Sequence, residues 1–254
     1  MALVTLNVFS EALGMQTEVK VILPQRSSQG EIGIASGADN TAYKCLYLLH
    51  GLSDDQTIWL RRTSIERYAA AYGICVVMPC ADKSFYCDMK YGMAFYTFIA
   101  KELPRLIREF FRVSDKREDN FVAGLSMGGY GALKLALREP DTFSAGAGLS
   151  PCADIKNVGF SDVMRPIFGD EFAVPDEDDL LWLADRCKDD PNRPRLFMGI
   201  GTEDFLYENT RSLKAKLEQN GYDFTYRESS GTHSWEFWDE YIQYVLAWML
   251  GEAR

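Results

Sequence analysis

The sequence predicts an α/β protein with a mostly parallel central sheet, and three observations predict it. Short apolar runs of strand type alternate with segments of helical period from about Lys44 onward. These runs are apolar at successive positions, which is typical of parallel strands covered by helices on both faces. The length of 254 residues is close to the most that one hydrophobic core supports. We therefore expect a single doubly wound domain over residues 1–254.

The N-terminal segment differs because its apolar and polar residues alternate, as in antiparallel strands with one solvated face. The run LVTLNVFSEALGMQTEVKVILP (3–24) contains two such strands, which we place at one edge of the sheet. The Gly/Ser-rich run QRSSQGEIGIASGADN (25–40) is predicted to be a loop.

Six further runs predict the rest of the sheet, with helices between them. The runs are CLYLLHG (45–51), ICVVMP (74–79), NFVAGLS (120–126), AGAGLS (145–150), RLFMGIG (195–201) and DFTYRES (223–229). A capping box of Thr63 and Glu66 predicts the start of one helix, and Gly73 predicts its end. Apolar residues at helical spacing from Trp238 to Met249 predict the last helix.

One stretch lacks the strand pattern, and we expect it to form a short cap insertion at about 152–193. It is polar and acidic, and it is too short to have a core of its own. Within it, Asp176, Asp178 and Asp179 are predicted to be a solvated acidic face at the start of a helix.

Charge and composition argue against several classes of partner. The chain has 27 Lys and Arg against 37 Asp and Glu, a formal net charge of -10, which disfavours nucleic acid and anionic membranes. The N-terminus has no signal-peptide pattern and no run approaches the roughly 18 apolar residues of a membrane span, so we expect a cytoplasmic protein. Two histidines and six cysteines without a C-x-x-C pair disfavour a metal site.

The run Gly124-Leu125-Ser126-Met127-Gly128 fits the pattern G-x-S-x-G. A predicted strand precedes it and a predicted helix follows it, which is the context that gives the pattern meaning. The glycines permit a tight turn, on which the serine hydroxyl is exposed above the sheet in a strained conformation. The motif predicts Ser126 as a nucleophile, and a purely structural turn is the alternative.

A serine hydroxyl needs a base, and His233 is the histidine downstream of Ser126 in the α/β-hydrolase order of serine, acid and histidine. Twelve aspartates lie between these two residues. We favour Asp204 as the acid, because it follows a buried strand where α/β sites are built. Glu203 is the nearest rival.

The oxyanion of the tetrahedral intermediate needs two preorganised N–H donors. One is expected from Met127, directly after the nucleophile, and the other from the loop after the CLYLLHG strand, where Leu52 is our candidate. His50 is interpreted as a residue that shapes this loop. Aromatic residues near the predicted site loops are candidates for the substrate pocket, although each taken singly is more often a core residue. They are Trp59, Phe85, Tyr86, Trp182 and Trp235, and we also note Trp238.

The runs LYLLHGLSDDQTIWLRRTSIERYA, SFYCDMKYG, GLSMGGYGALKLAL, GTEDFLYENTRSL and THSWEFWDEYI together resemble the tributyrin esterases of the esterase D and S-formylglutathione hydrolase group. The resemblance spans essentially the whole chain. It implies an α/β-hydrolase fold and a serine carboxylesterase without a cofactor, acting on short acyl chains of small-molecule esters. It also implies Ser126, Asp204 and His233 as the catalytic triad, with Leu52 and Met127 as oxyanion donors.

The sequence leaves several alternatives open. The S-formylglutathione hydrolases proper usually have a cysteine in the loop after the oxyanion strand, whereas this chain has GLSDDQTIW, which favours the general esterases over a glutathione thioesterase. Relatives also include acetyl and feruloyl esterases that act on plant carbohydrates. An acyltransferase with the same triad is an alternative, and a non-catalytic binding protein is a minor one. The oligomeric state is open, with a homo-oligomer among the choices.

Overall fold

Within residues 1–25 and 42–251, which the computed structural model describes, eight strands form one sheet in the order β1-β2-β4-β3-β5-β6-β7-β8. Residues 26–40, all but the first residue of the predicted Gly/Ser-rich loop, lie outside the described residues. The strands are β1 (Ala2–Ser10), β2 (Met15–Leu23), β3 (Cys45–Leu49), β4 (Cys75–Pro79), β5 (Asn120–Leu125), β6 (Ala145–Leu149), β7 (Arg195–Gly201) and β8 (Phe224–Ser229).

The strand directions confirm the predicted mixed sheet. β1 and β2 form an antiparallel hairpin at one edge, with Ala2 opposite Leu23 and Ser10 opposite Met15. β2 runs antiparallel to β4, and all neighbours from β4 through β3 to β8 are parallel. The alternating pattern of the N-terminal segment therefore places its two strands at the edge, where β1 has one exposed side-chain row.

Helices cover both faces of the sheet, as the continuous apolar strands predict. They are α1 (Ile58–Arg62), α2 (Ile65–Tyr72), α3 (Phe95–Thr97), α4 (Leu103–Phe110), α5 (Met127–Arg138), α6 (Ser161–Phe168), α7 (Leu180–Arg186), α8 (Tyr207–Gln219) and α9 (Trp235–Leu250), with a π-helical turn, Phe98–Glu102, joining α3 to α4. No helix among the described residues has the length and apolar character needed to cross a bilayer.

Two separate cores follow from the alternation of side chains along each strand. In β3, Cys45, Tyr47 and Leu49 point to the core beneath α5, α7 and α8, whereas Leu46 and Leu48 point to the core beneath α1, α2 and α9. Every side chain of β3, β4, β5 and β6 is buried. The sheet is thus a rigid central layer, and its loops emerge only at the two strand ends.

The first turn of α2 differs from the predicted capping box. Ser64 is the N-cap residue and makes no capping hydrogen bond through its side chain. The Thr63 hydroxyl instead donates to the Trp59 carbonyl and accepts from the Ile65 N–H. The capping-box prediction is wrong because Thr63 closes α1 while it supports α2. Gly73 ends α2 with φ of 62°, as predicted.

The segment between β6 and β7 contains α6 and α7, and α7 packs against α5 and α8. Asp178 and Asp179 are buried, so the prediction of a solvated acidic face is wrong for both. Asp178 accepts a hydrogen bond of 2.9 Å from the fully buried Lys134 of α5. Asp179 caps α7 by accepting from the Leu181 N–H. A buried ammonium group needs a paired carboxylate, which explains why the acidic run turns inward.

Candidate functional site

The strand order places a crevice at the carboxyl ends of β3 and β5. The chain leaves β3 for β4 on one side and later returns to form β5 on the other, so β3 lies at the point where the connections change direction. In open α/β sheets, ligands bind in the crevice that such a switch creates. Ser126 directly follows β5 and precedes α5, so the predicted nucleophile lies at this crevice.

Ser126 occupies a strained backbone conformation, with φ of 54° and ψ of −118°. Its N–H donates to the Leu149 carbonyl at 2.8 Å, and its carbonyl accepts from the Tyr130 N–H at 3.0 Å. The two motif glycines are required by close packing. A Cβ at Gly124 would lie 2.3 Å from the Gly128 carbonyl oxygen, and a Cβ at Gly128 would lie 2.5 Å from the carbonyl oxygen of Leu49 in β3.

The structure brings Ser126, His233 and Asp204 into one hydrogen-bonded line. His233 Nε2 lies 3.0 Å from Ser126 Oγ, and His233 Nδ1 lies 2.9 Å from Asp204 Oδ2 and 3.1 Å from Oδ1. A carboxylate only accepts, so Nδ1 carries a proton, and in the tautomer without a proton on Nε2 that nitrogen accepts from the serine hydroxyl. The three residues lie 78 and 29 positions apart in the chain, and the loops after β5, β7 and β8 bring them together.

Asp204 is held by its own turn. Its N–H donates to the Gly201 carbonyl, and its Oδ1 accepts from the Leu206 N–H at 2.8 Å. Its rival Glu203 does not face the imidazole. The exposed Glu203 carboxylate accepts from the Gly231 N–H at 2.6 Å, which lowers its pKa, and so it fixes the loop that leads to His233.

The two predicted oxyanion donors lie in the turns that follow β5 and β3. Met127 is the first residue of α5, and Leu52 lies in the loop after β3. Among the described residues, no protein group accepts a hydrogen bond from either backbone N–H. The Leu52 loop is tightened by a turn in which the Asp54 N–H donates to the Gly51 carbonyl and Asp54 Oδ2 accepts from the Gly51 N–H.

His50 is buried and fixes this loop, as the sequence predicts. Its Nδ1 lies 2.7 Å from the Gly51 carbonyl oxygen and its Nε2 accepts from the Ala81 N–H at 2.9 Å, so Nδ1 carries the proton. Burial lowers the pKa of His50, which keeps the ring neutral. The hydroxyl of Tyr86 donates to the His50 carbonyl at 2.9 Å. The ends of β3 and β4 are thereby tied together behind the candidate oxyanion loop.

Three of the tryptophans form an edge-to-face series that ends at the imidazole. The ring centroids of Trp59 and Trp235 lie 5.2 Å apart, those of Trp235 and Trp238 also 5.2 Å, and those of Trp238 and His233 4.8 Å. Trp59 is buried in the core and donates to the Leu49 carbonyl, so it supports the site from below. Trp235 is half-buried and Trp238 is buried.

The other aromatic pocket candidates separate into two groups. Phe85 and Tyr86 are buried on a turn with φ of 51° and 55°, and Tyr86 packs against Gly131 of α5. Trp182, on α7, has 38% of its surface exposed, and the Arg186 guanidinium lies over its ring. In the part of the chain described, Trp182 makes no ring or hydrogen-bond contact with the triad residues, so the structure does not bring it to the site.

Two residues beside the site were missed from the sequence. The Phe205 ring lies against His233, with centroids 4.6 Å apart. Ser150, which follows β6 with φ of 44°, accepts from the Trp238 indole N–H at 3.1 Å. The position of Phe205 next to Asp204 is a signal that the sequence contains, whereas the role of Ser150 depends on a contact across 88 residues.

The sheet order, the strained serine after β5 and the hydrogen-bonded line define the class as serine hydrolases with the α/β-hydrolase fold. The family model described as "Putative esterase" matches residues 10–249. The chain belongs to this esterase family and is a serine carboxylesterase. Among the described residues, no group of three or more histidine, cysteine and acidic side chains is arranged to hold a metal ion.

Similar proteins cover essentially the whole chain. An acetyl esterase from Caldicellulosiruptor saccharolyticus is 31% identical over 98% of both chains. The substrate-bound structure of the fluorophosphonate-binding serine hydrolase FphF of Staphylococcus aureus is 34% identical over 99% of both chains, with a TM-score of 0.89. The S-formylglutathione hydrolase FrmB of Staphylococcus aureus, in its apoenzyme structure, is 35% identical over 98% of both chains, with a TM-score of 0.85.

Proposed function

We propose that this carboxylesterase hydrolyses short-chain acyl esters through an acyl-enzyme formed on Ser126, with His233 as general base and Asp204 as its orienting acid. The single observation that carries the proposal is the line of hydrogen bonds from Asp204 through His233 to Ser126, at 2.9 and 3.0 Å. The strained backbone of Ser126 is the second support, because such strain is kept where it presents a reacting group.

In the first half of the reaction, Ser126 Oγ attacks the ester carbonyl carbon and its proton passes to His233 Nε2. The Asp204 carboxylate, against Nδ1, stabilises the imidazolium that forms. Nε2 then gives the proton to the departing alcohol oxygen as the ester C–O bond breaks. In the second half, His233 removes a proton from water and the hydroxide adds to the acyl carbon. The Ser126 Oγ–acyl bond then breaks, His233 Nε2 returns the proton to Oγ, and the carboxylic acid is released.

The N–H groups of Met127 and Leu52 are proposed to bind the oxyanion in both halves. Both lack a partner among the described residues, as donors waiting for a ligand do. Met127 begins α5, so the helix dipole adds positive potential where the negative charge develops. The buried His50 and Tyr86 hold the Leu52 loop in place before substrate arrives, which avoids reorganisation during the reaction.

We propose one catalytic domain over residues 1–254, in which the segment at about 152–193 is a cap beside the crevice. Preference for a short acyl group is supported by the acetyl esterase relative. Acetylated carbohydrates are the second substrate candidate, and the same acetyl esterase relative supports them.

The test combines labelling with turnover. A fluorophosphonate probe is expected to label Ser126 in the folded protein, and Ser126→Ala is expected to abolish labelling and to lower kcat for p-nitrophenyl butyrate on the order of 10⁵- to 10⁶-fold. Ser212→Ala on α8 is the matched control and is expected to keep wild-type turnover. Near wild-type turnover by Ser126→Ala would refute the assignment.

A substrate panel distinguishes the finer alternatives. Acetyl and butyryl esters are expected to give a higher kcat/KM than octanoyl and feruloyl esters, and acetylated xylan-type sugars test the second candidate. S-formylglutathione tests the thioesterase alternative, and product analysis with a polyol acceptor tests acyl transfer. Faster turnover of octanoyl than of acetyl esters would contradict the short-chain proposal.

A further inference from the structure

Phe205 is an exposed aromatic side chain in direct contact with the candidate catalytic imidazole. Its ring centroid lies 4.6 Å from that of His233, with the two planes inclined by 51°. About 66% of the Phe205 surface is exposed, whereas Trp238, the second ring against His233, is buried. The imidazole therefore has one aromatic neighbour that belongs to the core and one that faces outward.

The backbone around Phe205 is held in a hydrogen-bonded turn. The preceding Asp204 N–H donates to the Gly201 carbonyl, and the Tyr207 N–H closes the turn onto the Asp204 carbonyl at 3.0 Å. The Leu206 N–H is bound by the Asp204 carboxylate. All of these hydrogen bonds use backbone groups and the Asp204 side chain, so the turn itself does not require a phenyl ring at position 205.

The proposed mechanism determines which part of the substrate lies beside Phe205. His233 Nε2 has to deliver a proton to the departing alcohol oxygen, which must come within hydrogen-bonding reach of that nitrogen, about 3 Å. The acyl oxygen lies elsewhere, at the N–H groups of Met127 and Leu52. The first carbons of the alcohol therefore lie next to the imidazole, within contact range of the Phe205 ring that touches it.

From this geometry we infer that Phe205 determines alcohol specificity by providing an aromatic surface for the leaving group, which favours esters of aryl-substituted and other apolar alcohols. The inference rests on the proposed roles of Ser126 and His233. An outward-facing phenyl ring gains contact area when an apolar group covers it, and paired aromatic rings add a further attraction. A small polar alcohol makes little of this contact.

The effect is confined to one half of the reaction. The Ser126 Oγ–acyl bond forms as the ester C–O bond breaks, and the serine proton leaves with the alcohol through His233 Nε2. Two esters of the same acid then give the same acyl-enzyme and the same deacylation step. Any difference between them in kcat/KM arises in acylation, where the alcohol is still present.

The experiment compares benzyl butyrate with 2-methoxyethyl butyrate, whose alcohols are of similar acidity. Phe205→Ala is expected to lower kcat/KM for the benzyl ester about tenfold, from the lost aromatic contact, and to change that for the methoxyethyl ester less than about twofold. Phe9→Ala is the matched control, because Phe9 is 56% exposed on β1 at the opposite edge of the sheet. It is expected to leave both values unchanged.

Equal losses for the two esters would overturn the inference, since they would mean that Phe205 only orients His233. Unchanged values for both esters would overturn it as well. Fluorophosphonate labelling of wild type and of Phe205→Ala keeps the two proposals distinct. If Ser126 is labelled and Phe205→Ala leaves the ratio of kcat/KM between the benzyl and methoxyethyl esters unchanged, only the role of Phe205 is contradicted. If Ser126 is not labelled in the folded wild type, the proposed function is contradicted.

Discussion

The two histidines of this chain occupy comparable places and have different environments. Each lies in a loop beyond a strand of the sheet, His50 after β3 and His233 after β8, and each donates through Nδ1 to an oxygen. The partner of Nε2 differs. In His50 it is the Ala81 backbone N–H, which keeps its proton, whereas in His233 it is the Ser126 hydroxyl, which can transfer one.

The partners of Nδ1 differ as well. The Gly51 carbonyl offers His50 a neutral acceptor in a buried site, and burial lowers the pKa of the ring. The nearby Asp54 carboxyl is itself partly buried, which raises its pKa. The Asp204 carboxylate, in contrast, faces His233 directly. The comparison shows that the hydrogen-bond partners of the two ring nitrogens determine whether a histidine beyond a strand end is suited to a structural or to a catalytic role.

The largest effect is expected from removing the second histidine. His233→Ala is expected to lower kcat for p-nitrophenyl butyrate by about 10⁵- to 10⁶-fold, because within residues 1–25 and 42–251 no other side chain is hydrogen-bonded to the Ser126 hydroxyl. Its melting temperature is expected to change by no more than about 4 °C, since the ring is partly exposed. Folded His50→Ala is the comparison variant and should lose no more than about 100-fold in kcat, through a displaced oxyanion loop. Equal losses of kcat in both variants would contradict the proposed difference between the two histidines.

The carboxylate is expected to give the next largest effect. Asp204→Asn should lower kcat about 10⁴-fold, because an amide can hold the wrong tautomer of His233 and cannot stabilise the imidazolium. Steady-state kinetics at neutral pH measures this. Glu203→Gln is the control, and we expect its kcat to fall less than about tenfold. The substitution weakens only the hydrogen bonds to the loop at Gly231, which precedes His233. A loss of kcat for Glu203→Gln as large as that for Asp204→Asn would contradict the assignment of Asp204 as the acid.

For the free energy of unfolding we expect the opposite order, with a larger loss in the His50 variant than in the His233 variant. His50→Ala should lower the free energy of unfolding by about 2–4 kcal/mol, since it leaves the buried Ala81 N–H unpaired and creates a cavity. Tyr86→Phe removes only the hydrogen bond to the His50 carbonyl and should cost about 1 kcal/mol. Urea unfolding of these variants beside His233→Ala checks the order. A His233 variant less stable than the His50 variant would reverse the comparison.

The smallest effect is a pH dependence that arises from His50. Its pKa is lowered from 6.5 in the folded protein by burial, so below pH 6.5 the unfolded chain binds a proton that the folded chain does not. The stability from the neutral ring is complete above pH 6.5 and is lost as the pH falls toward the lowered value. The slope contributed by this one group is at most about 1.4 kcal/mol per pH unit.

Urea unfolding at pH 7.0 and 5.5 measures this term, with His50→Gln as the reference. The variant keeps a polar side chain without a titrating ring, so the wild type should lose more stability than the variant between the two pH values. Identical losses would mean that His50 contributes nothing to the pH dependence.

Patterns along the chain predicted most of the fold. Each predicted strand within the described residues is present, because continuous apolar runs have one stable arrangement, a parallel sheet covered on both faces. The errors fell on polar residues. The Thr63–Glu66 capping box and the solvated Asp178 were wrong because their partners, the Trp59 carbonyl and Lys134, come from other elements.

For the candidate site, the small number of histidines identified the base, which the spacing of residues alone did not identify. With only two histidines in the chain, the base was narrowed to His233 from the sequence, and a strand end narrowed the acid to Asp204. The aromatic residues could not be sorted in this way. Trp59 lies in the core, Trp182 lies on α7 away from the triad, and Phe205 reaches the imidazole, yet all three are simply large apolar residues near loops.

By itself the sequence determined the sheet, the elbow around Ser126 and the identity of the residues that meet there, because local backbone sterics and hydrophobic periodicity are properties of neighbouring positions. Only the tertiary structure decided which nitrogen of each histidine faces its acceptor, which carboxylate meets His233, and which exposed aromatic ring contacts that imidazole. These depend on hydrogen bonds and ring contacts between residues far apart in the chain, whose directions and distances no local pattern specifies.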